Sequence, residues 1–247
     1  MLRAMRARPV VFGFAAVVAG CCGMCAETTQ SENIRTEGMA ADMQVASRGD
    51  GKTHVDVTLR VGGPLSNLHP QITGGDQLEV TNGIDTIPLS FGTHLLARPS
   101  YHGVLPGDSG GQTVQLRFVR ARDKSALGTK IIMPPGFAIT SPRAGETYSP
   151  ARSALAVRWG PAGPGSVEWS VRGGCITDQR GVIAADTGAL DVALAAAPPP
   201  DGGPPPSRCD VTVKLERTAR GVVDPAFGRG GSVSASQQRE RVVEFTP

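Results

Sequence analysis

The chain has 247 residues and a formal charge of +3, with 40% hydrophobic but only 4% aromatic residues. Arg3, Arg6 and Arg8 account for that charge: without them the 25 basic residues become 22, equal to the 22 acidic ones, so no basic excess remains to neutralise phosphates and no nucleic-acid partner is expected. The length allows two cores, and the composition requires them to be built from Val, Leu, Ile and Ala.

The three arginines precede an apolar run from Val10 to Ala19, which gives the charged and hydrophobic regions of a secretory signal. Val18-Ala19-Gly20-Cys21 follows and resembles the lipobox of bacterial lipoproteins. The resemblance implies removal of residues 1–20, a diacylglyceryl thioether on Cys21, a further acyl chain on the new amine, and residence in the bacterial cell envelope with the membrane as partner. Met24-Cys25-Ala26 offers a second site, with cleavage after Ala26, and that alternative stays open. Beyond the leader no apolar run approaches the roughly 20 residues that span a bilayer. Cys22 and Cys25 have the spacing of a redox or metal pair; with no fold predicted around them they are read as part of the leader boundary or a local disulfide. Residues 21–39 are polar and aperiodic and are expected to form a flexible tether.

The expected fold class is all-β: two tandem antiparallel β-sandwich domains, residues 40–136 and 137–247, the second immunoglobulin-like. In the first, Thr53 to Val61 alternates strictly, Val55, Val57, Leu59 and Val61 on one face and His54, Asp56, Thr58 and Arg60 on the other, as a half-buried strand requires. A strand near Met43 to Ala46 joins it through Arg48-Gly49-Asp50-Gly51, where Asp-Gly favours a tight turn. Further strands are expected at Gln77–Thr81, Ile84–Phe91, Gln112–Arg120 and Thr129–Met133, with Asn82-Gly83 as the hairpin between the first two. Paired prolines in Pro134-Pro135-Gly136 mark the boundary.

Phe137 to Thr147 resembles the opening of bacterial immunoglobulin-like modules, which implies a first strand interrupted at Ser141-Pro142. Leu155, Val157 and Trp159, then Val167, Trp169 and Val171, then Cys209, Val211, Val213 and Leu215 give successive inward faces, and Ser232 to Phe245 is the closing strand. Cys175 and Cys209, distant from the leader cysteines, are expected to form a disulfide in an oxidising compartment. The Pro/Gly loop 198–206 between them has no core-forming residue.

Gly107-Asp108-Ser109-Gly110-Gly111 matches the nucleophile loop of trypsin-like serine proteases letter for letter, which implies Ser109 as nucleophile. That chemistry needs a His base and an Asp orienter. None of the upstream His54, His69, His94 and His102 lies in an Ala-Ala-His-Cys-like segment, and residues 21–108 are too short for that family's paired barrels. The expected reading is a turn into the next strand, with a serine hydrolase using Ser109 as the alternative. Arg48-Gly49-Asp50 resembles an integrin-binding tripeptide, though a hairpin tip uses these residues in any case. His94, His102 and Asp108 form the best metal-like cluster, but no spacing matches a ligand code. No catalytic, cofactor or metal residue is therefore assigned. The leading expectation is a non-enzymatic binding, adhesion or scaffolding module with a protein or glycan partner; a purely structural spacer is the other alternative.

Overall fold

The structure is a computed structural model, which describes residues 27–63, 66–92, 98–149, 154–197 and 208–246. The leader, Cys21, Cys22, Cys25, His94 and the loop 198–206 lie outside these residues. Among the described residues, regular structure is all-β apart from two 3-10 turns at Ser31–Asn33 and Thr36–Gly38. In the first half the strands are β1 (Glu27–Gln30), β2 (Met39–Ser47), β3 (Lys52–Val61), β4 (Leu68–Gln71), β5 (Gln77–Thr81), β6 (Thr86–Pro88), β7 (Ser90–Gly92), β8 (Ser100–Pro106), β9 (Thr113–Val119) and β10 (Ala126–Ile132). The second half holds β11 (Ala138–Ser141), β12 (Thr147–Tyr148), β13 (Leu155–Gly160), β14 (Val167–Gly173), β15 (Gln179–Ile183), β16 (Ala189–Val192), β17 (Cys209–Arg220) and β18 (Ser232–Phe245).

One 9-stranded sheet runs β15-β14-β17-β18-β2-β3-β8-β7, with β12 also beside β18. Its spine is β18, whose Ser234–Phe245 pair antiparallel with the whole of β17. On the opposite edge Ser232–Gln237 pair in parallel with Asp42–Ser47, and Glu244 and Phe245 pair in parallel with Thr147 and Tyr148. Two smaller sheets, β10-β9-β5-β6 and β11-β13-β16, stack on the inward face and bury the alternating apolar residues. The first core joins Val57, Leu59, Leu116 and Phe118 to Val233 and Ala235 of β18; the second joins Val157, Trp159, Val171 and Val213 to Val243 and Phe245 of the same strand. The molecule thus contains two sandwiches that share one sheet.

The second sandwich has the interrupted first strand of an immunoglobulin-like domain: β11 pairs with β13 in the small sheet, and after Ser141-Pro142 the chain crosses to place β12 in the large one. Cys175 and Cys209 are disulfide-bonded, Cα atoms 6.0 Å apart. The bridge joins the end of β14 to the start of β17, strands paired up to Gly173 and Val211, so it staples neighbours within one sheet.

Several expectations are corrected. Residues 27–38 of the expected tether are built into the first sandwich: Ser31 and Thr36 are buried, and β1 pairs with β4. The side chain of Arg120, 2% exposed, holds this segment, donating to Thr36 Oγ1 (3.0 Å) and to the Ser31 and Ile34 carbonyls (2.9 Å each). It also lies 2.9 Å from the buried Asp76 carboxylate. The division at Gly136 marks where the chain leaves the first core, but the chain returns, since Ala226, Phe227, Val233 and Ala235 belong to that core. Ile84–Phe91 is two strands, because the chain passes between sheets at Leu89: β6 pairs with β5, and β7 with β8. Trp169 is only half-buried and packs over Gly181, where a Cβ would meet the indole at 2.9 Å.

Candidate functional site

Ser109 lies where the two sandwiches meet. Gly107, Ser109 and Gly111 all have positive φ (78°, 49° and 75°), which makes the pentapeptide a tight turn. Asp108 closes it by accepting from the Gly110 amide at 3.1 Å. Asp108 also pairs with Arg239 at 3.2 Å, and its carbonyl accepts from Gln237 Nε2 at 3.0 Å. Ser109 is 4% exposed, and its Oγ is buried with no hydrogen-bond partner among the described residues. The described histidines bond elsewhere: His54 to Asp50, His69 to the Leu59 carbonyl, and His102 to Asp56 and Ser100. Among the described residues the turn therefore lacks the nucleophile–base pair that a hydrolase at Ser109 needs. Its specific letters serve packing, since a Cβ on Gly110 would stand 2.7 Å from the Gly136 amide.

Basic side chains fill the rest of this seam. Arg217, 2% exposed, donates to the Pro135 and Pro161 carbonyls (2.9 and 2.6 Å), pairs with Asp186 at 2.5 Å and lies 4.4 Å from the Phe137 ring centre. Arg239 donates to the Phe137 carbonyl at 2.7 Å, and Arg241 to that of Ile139 at 2.8 Å. Burial pushes the Asp186 carboxyl up, but hydrogen bonds from Trp159 and Gly163, with the Arg217 charge, outweigh it and hold it below the ordinary carboxylate range. The seam is a clamp; its buried cations have their acceptors within the protein.

The site with the character of a ligand pocket is on the flank of the first sandwich. A cavity of about 750 Å³ opens there, with Ile72, Pro88 and Phe91 among its apolar walls and Gln71, Gln77 and Glu79 among its polar ones. Small-molecule sites have this size and combine apolar walls with polar groups. Tyr101 forms part of the lining, its ring 5.1 Å from that of Phe91. Its hydroxyl donates to the Pro70 carbonyl and accepts from the Ile72 amide, both at 2.9 Å. Burial raises the phenol to about 12, against the smaller effect of the Ile72 bond. Tyr101 is thus a fixed, neutral brace for the loop after β4. Glu79 is pinned by Arg117 at 2.9 Å. A second concavity, about 730 Å³, lies on the outward face of β14, β15 and β17, with Glu168, Arg172, Arg180 and Lys214 among its lining residues. Trp169 and Val182 give it an apolar wall, but its charges are of both signs and stand in a row across the sheet, so it fits the pattern less well.

The sequence expectations reach neither the pocket nor one further feature, on the outward face of β3 and β8. Asp56 and His102 are cross-strand partners, and Ser100 is two residues before His102 on the same face. His102 Nδ1 is hydrogen-bonded to Asp56, and Ser100 Oγ lies 3.0 Å from His102 Nε2. His102 is thereby separated from Asp108, which belongs to the seam. Among the described residues no three His, Cys, Asp or Glu side chains gather to hold a metal ion, and no helix is long and apolar enough to cross a membrane.

No protein family matches the sequence, and no curated protein matches it. Among solved structures the chain is similar to CBD12 from CALX1.2, at 9% identity over 80% of this chain and 98% of that one, with a TM-score of 0.21. It is similar also to the FN1–FN3 domains of chicken CNTN1 (11%, 83% and 67%, 0.22) and to the Yersinia pseudotuberculosis adhesin InvE (14%, 85% and 59%, 0.22). At TM-scores this low the fold assignment rests on the strands and sheet order of the chain itself.

Proposed function

We propose that the mature chain is a binding module of the bacterial envelope, anchored by lipid at Cys21, that takes a saccharide in the Phe91 pocket. The pocket carries this reading: an aromatic ring and apolar wall suit the hydrophobic face of a sugar, while the Gln71 and Gln77 amides and the Glu79 carboxylate offer partners for hydroxyls. Titrating soluble neutral oligosaccharides into the mature chain by calorimetry should reveal a binder whose affinity falls by about tenfold or more in Phe91→Ala, the loss of one good aromatic contact. If none binds, or Phe91→Ala binds as well as the wild type, the saccharide reading fails and the spacer alternative gains.

Support for the anchor comes from the Val18-Ala19-Gly20-Cys21 pattern, and the Cys175–Cys209 bridge fits an oxidising compartment. In cells fed a radiolabelled fatty acid, the wild-type protein should take up label and fractionate with membranes. Cys21→Ser should lose the label and accumulate as precursor. Normal processing of that variant would favour cleavage after Ala26.

A further inference from the structure

We propose that Ser100, His102 and Asp56 form a nucleophilic centre that accepts an acyl group from small carboxylic esters, an activity beyond the binding function proposed above. The motivation is order and direction. Ser100 Oγ is 3.0 Å from His102 Nε2, and His102 Nδ1 bonds Asp56: nucleophile, base and orienter are linked in the sequence that activates a hydroxyl. A neutral ring that donates Nδ1–H to Asp56 presents Nε2 as the acceptor for the Ser100 proton. Three strands fix the arrangement. Asp56 on β3 and Ser90 on β7 flank His102 on β8, and the ring lies against Gly92, where a Cβ would approach it to 3.0 Å.

In the reaction, Ser100 Oγ attacks the ester carbonyl while its proton passes to His102 Nε2. The carbon–oxygen bond to the leaving alcohol breaks as that alcohol takes the proton from Nε2. Water, deprotonated by His102, then attacks the acyl-Ser100 carbonyl, releasing the carboxylic acid and returning the proton to Ser100. The environment limits the substrate. The side chains of His102 and Asp56 are 40% and 55% exposed, and the apolar neighbour along β8 is Val104, 47% exposed, so only a short acyl group is served. Tyr101 and His102 pair with both β3 and β7, which commits their backbone to the sheet. General-base catalysis then acts without a paired-amide oxyanion hole, and its share is about 10²–10⁴-fold.

The test is labelling of the purified mature chain with a fluorophosphonate, with the modified peptide identified by mass spectrometry. Label should fall on Ser100, vanish in Ser100→Ala, slow by about 100-fold in His102→Gln, and be unchanged in Ser109→Ala. Asp56 is a positioning residue: Asp56→Asn should slow labelling and shift the His102 imidazole nitrogen signals toward a mixture of tautomers. Unchanged circular dichroism of each variant establishes that it is folded. Absence of label on the wild type, label that persists in Ser100→Ala, or a rate indifferent to His102→Gln would each overturn the proposal. Saccharide binding at Phe91 is read separately, so either result stands without the other.

Discussion

At the scale of single residues the largest energetic risk is the buried pair Arg217–Asp186, their side chains 2% and 0% exposed. A buried ion pair gains little over an apolar replacement of both partners, but removing one partner leaves an uncompensated charge at about 3–5 kcal/mol. Arg217→Ala should therefore lose about that much in urea unfolding, and it also strips donors from the Pro135 and Pro161 carbonyls. The pH dependence has a definite sign. In the wild type the folded Asp186 carboxyl is held below its ordinary value of 3.8, so its contribution is full above that value and is lost as pH falls through the folded pKa. In Arg217→Ala burial acts on the carboxyl with less opposition, and protonation relieves the variant. The stability gap between the two proteins should narrow on acidification, and a gap that stays constant or widens would contradict this account. The same seam explains why Gly107 to Gly111 misleads: glycines where φ is positive, an Asp that caps its own turn, and a serine with no room around it produce a protease-like string for reasons of packing.

At the scale of elements, what could be read from the sequence follows from alternation. β5, β9, β13 and β14 place apolar residues at alternate positions, as do β2 over Met39–Val45, β3 over Val55–Val61 and β17 over Cys209–Leu215, and the turns at Gly49-Asp50-Gly51 and Asn82-Gly83 announce themselves through residues that tolerate positive φ, seen at Gly49, Gly51 and Gly83. Where the signal fails, a tertiary partner supplies what local sequence lacks. β1 has no apolar period because it is an exposed edge strand held by β4, and residues 31–36 are ordered through Arg120, far away in sequence. β8 carries Gly103 in its middle and Pro106 at its end, which masks a strand that is paired on both sides. The Ser100–His102–Asp56 row was invisible for the same reason: only the β3–β8 register brings Asp56 to His102. The disulfide was legible from cysteine arithmetic, and in the chain-entropy model closing a loop across its separation of 34 residues is worth about 3–4 kcal/mol.

At the scale of the whole molecule, the shared sheet argues against two independent beads on a string. β18 supplies the parallel partner of β2 over Ser232–Gln237, and Phe227, from the connection before it, stacks on Phe118 with ring centres 5.9 Å apart. A fragment ending at Gly136 keeps β1 to β10 but exposes the β2 edge and removes Ala226, Phe227, Val233 and Ala235 from its core. Truncating a buried Phe alone costs about 3–5 kcal/mol, a large part of the 5–15 kcal/mol that holds an ordinary domain together. The fragment 21–136 should therefore fail to give a dispersed amide NMR spectrum, and adding residues 137–247 in trans should restore dispersion by returning the β17–β18 hairpin. The intact chain should unfold in one transition followed alike by far-ultraviolet circular dichroism and by the fluorescence of Trp159 and Trp169, both in the second sandwich. A fragment 21–136 that folds alone, or intact-chain transitions that separate by several degrees, would mean that the hairpin only decorates the first core. Coupling through β18 would then be too weak to make the seam a structural necessity.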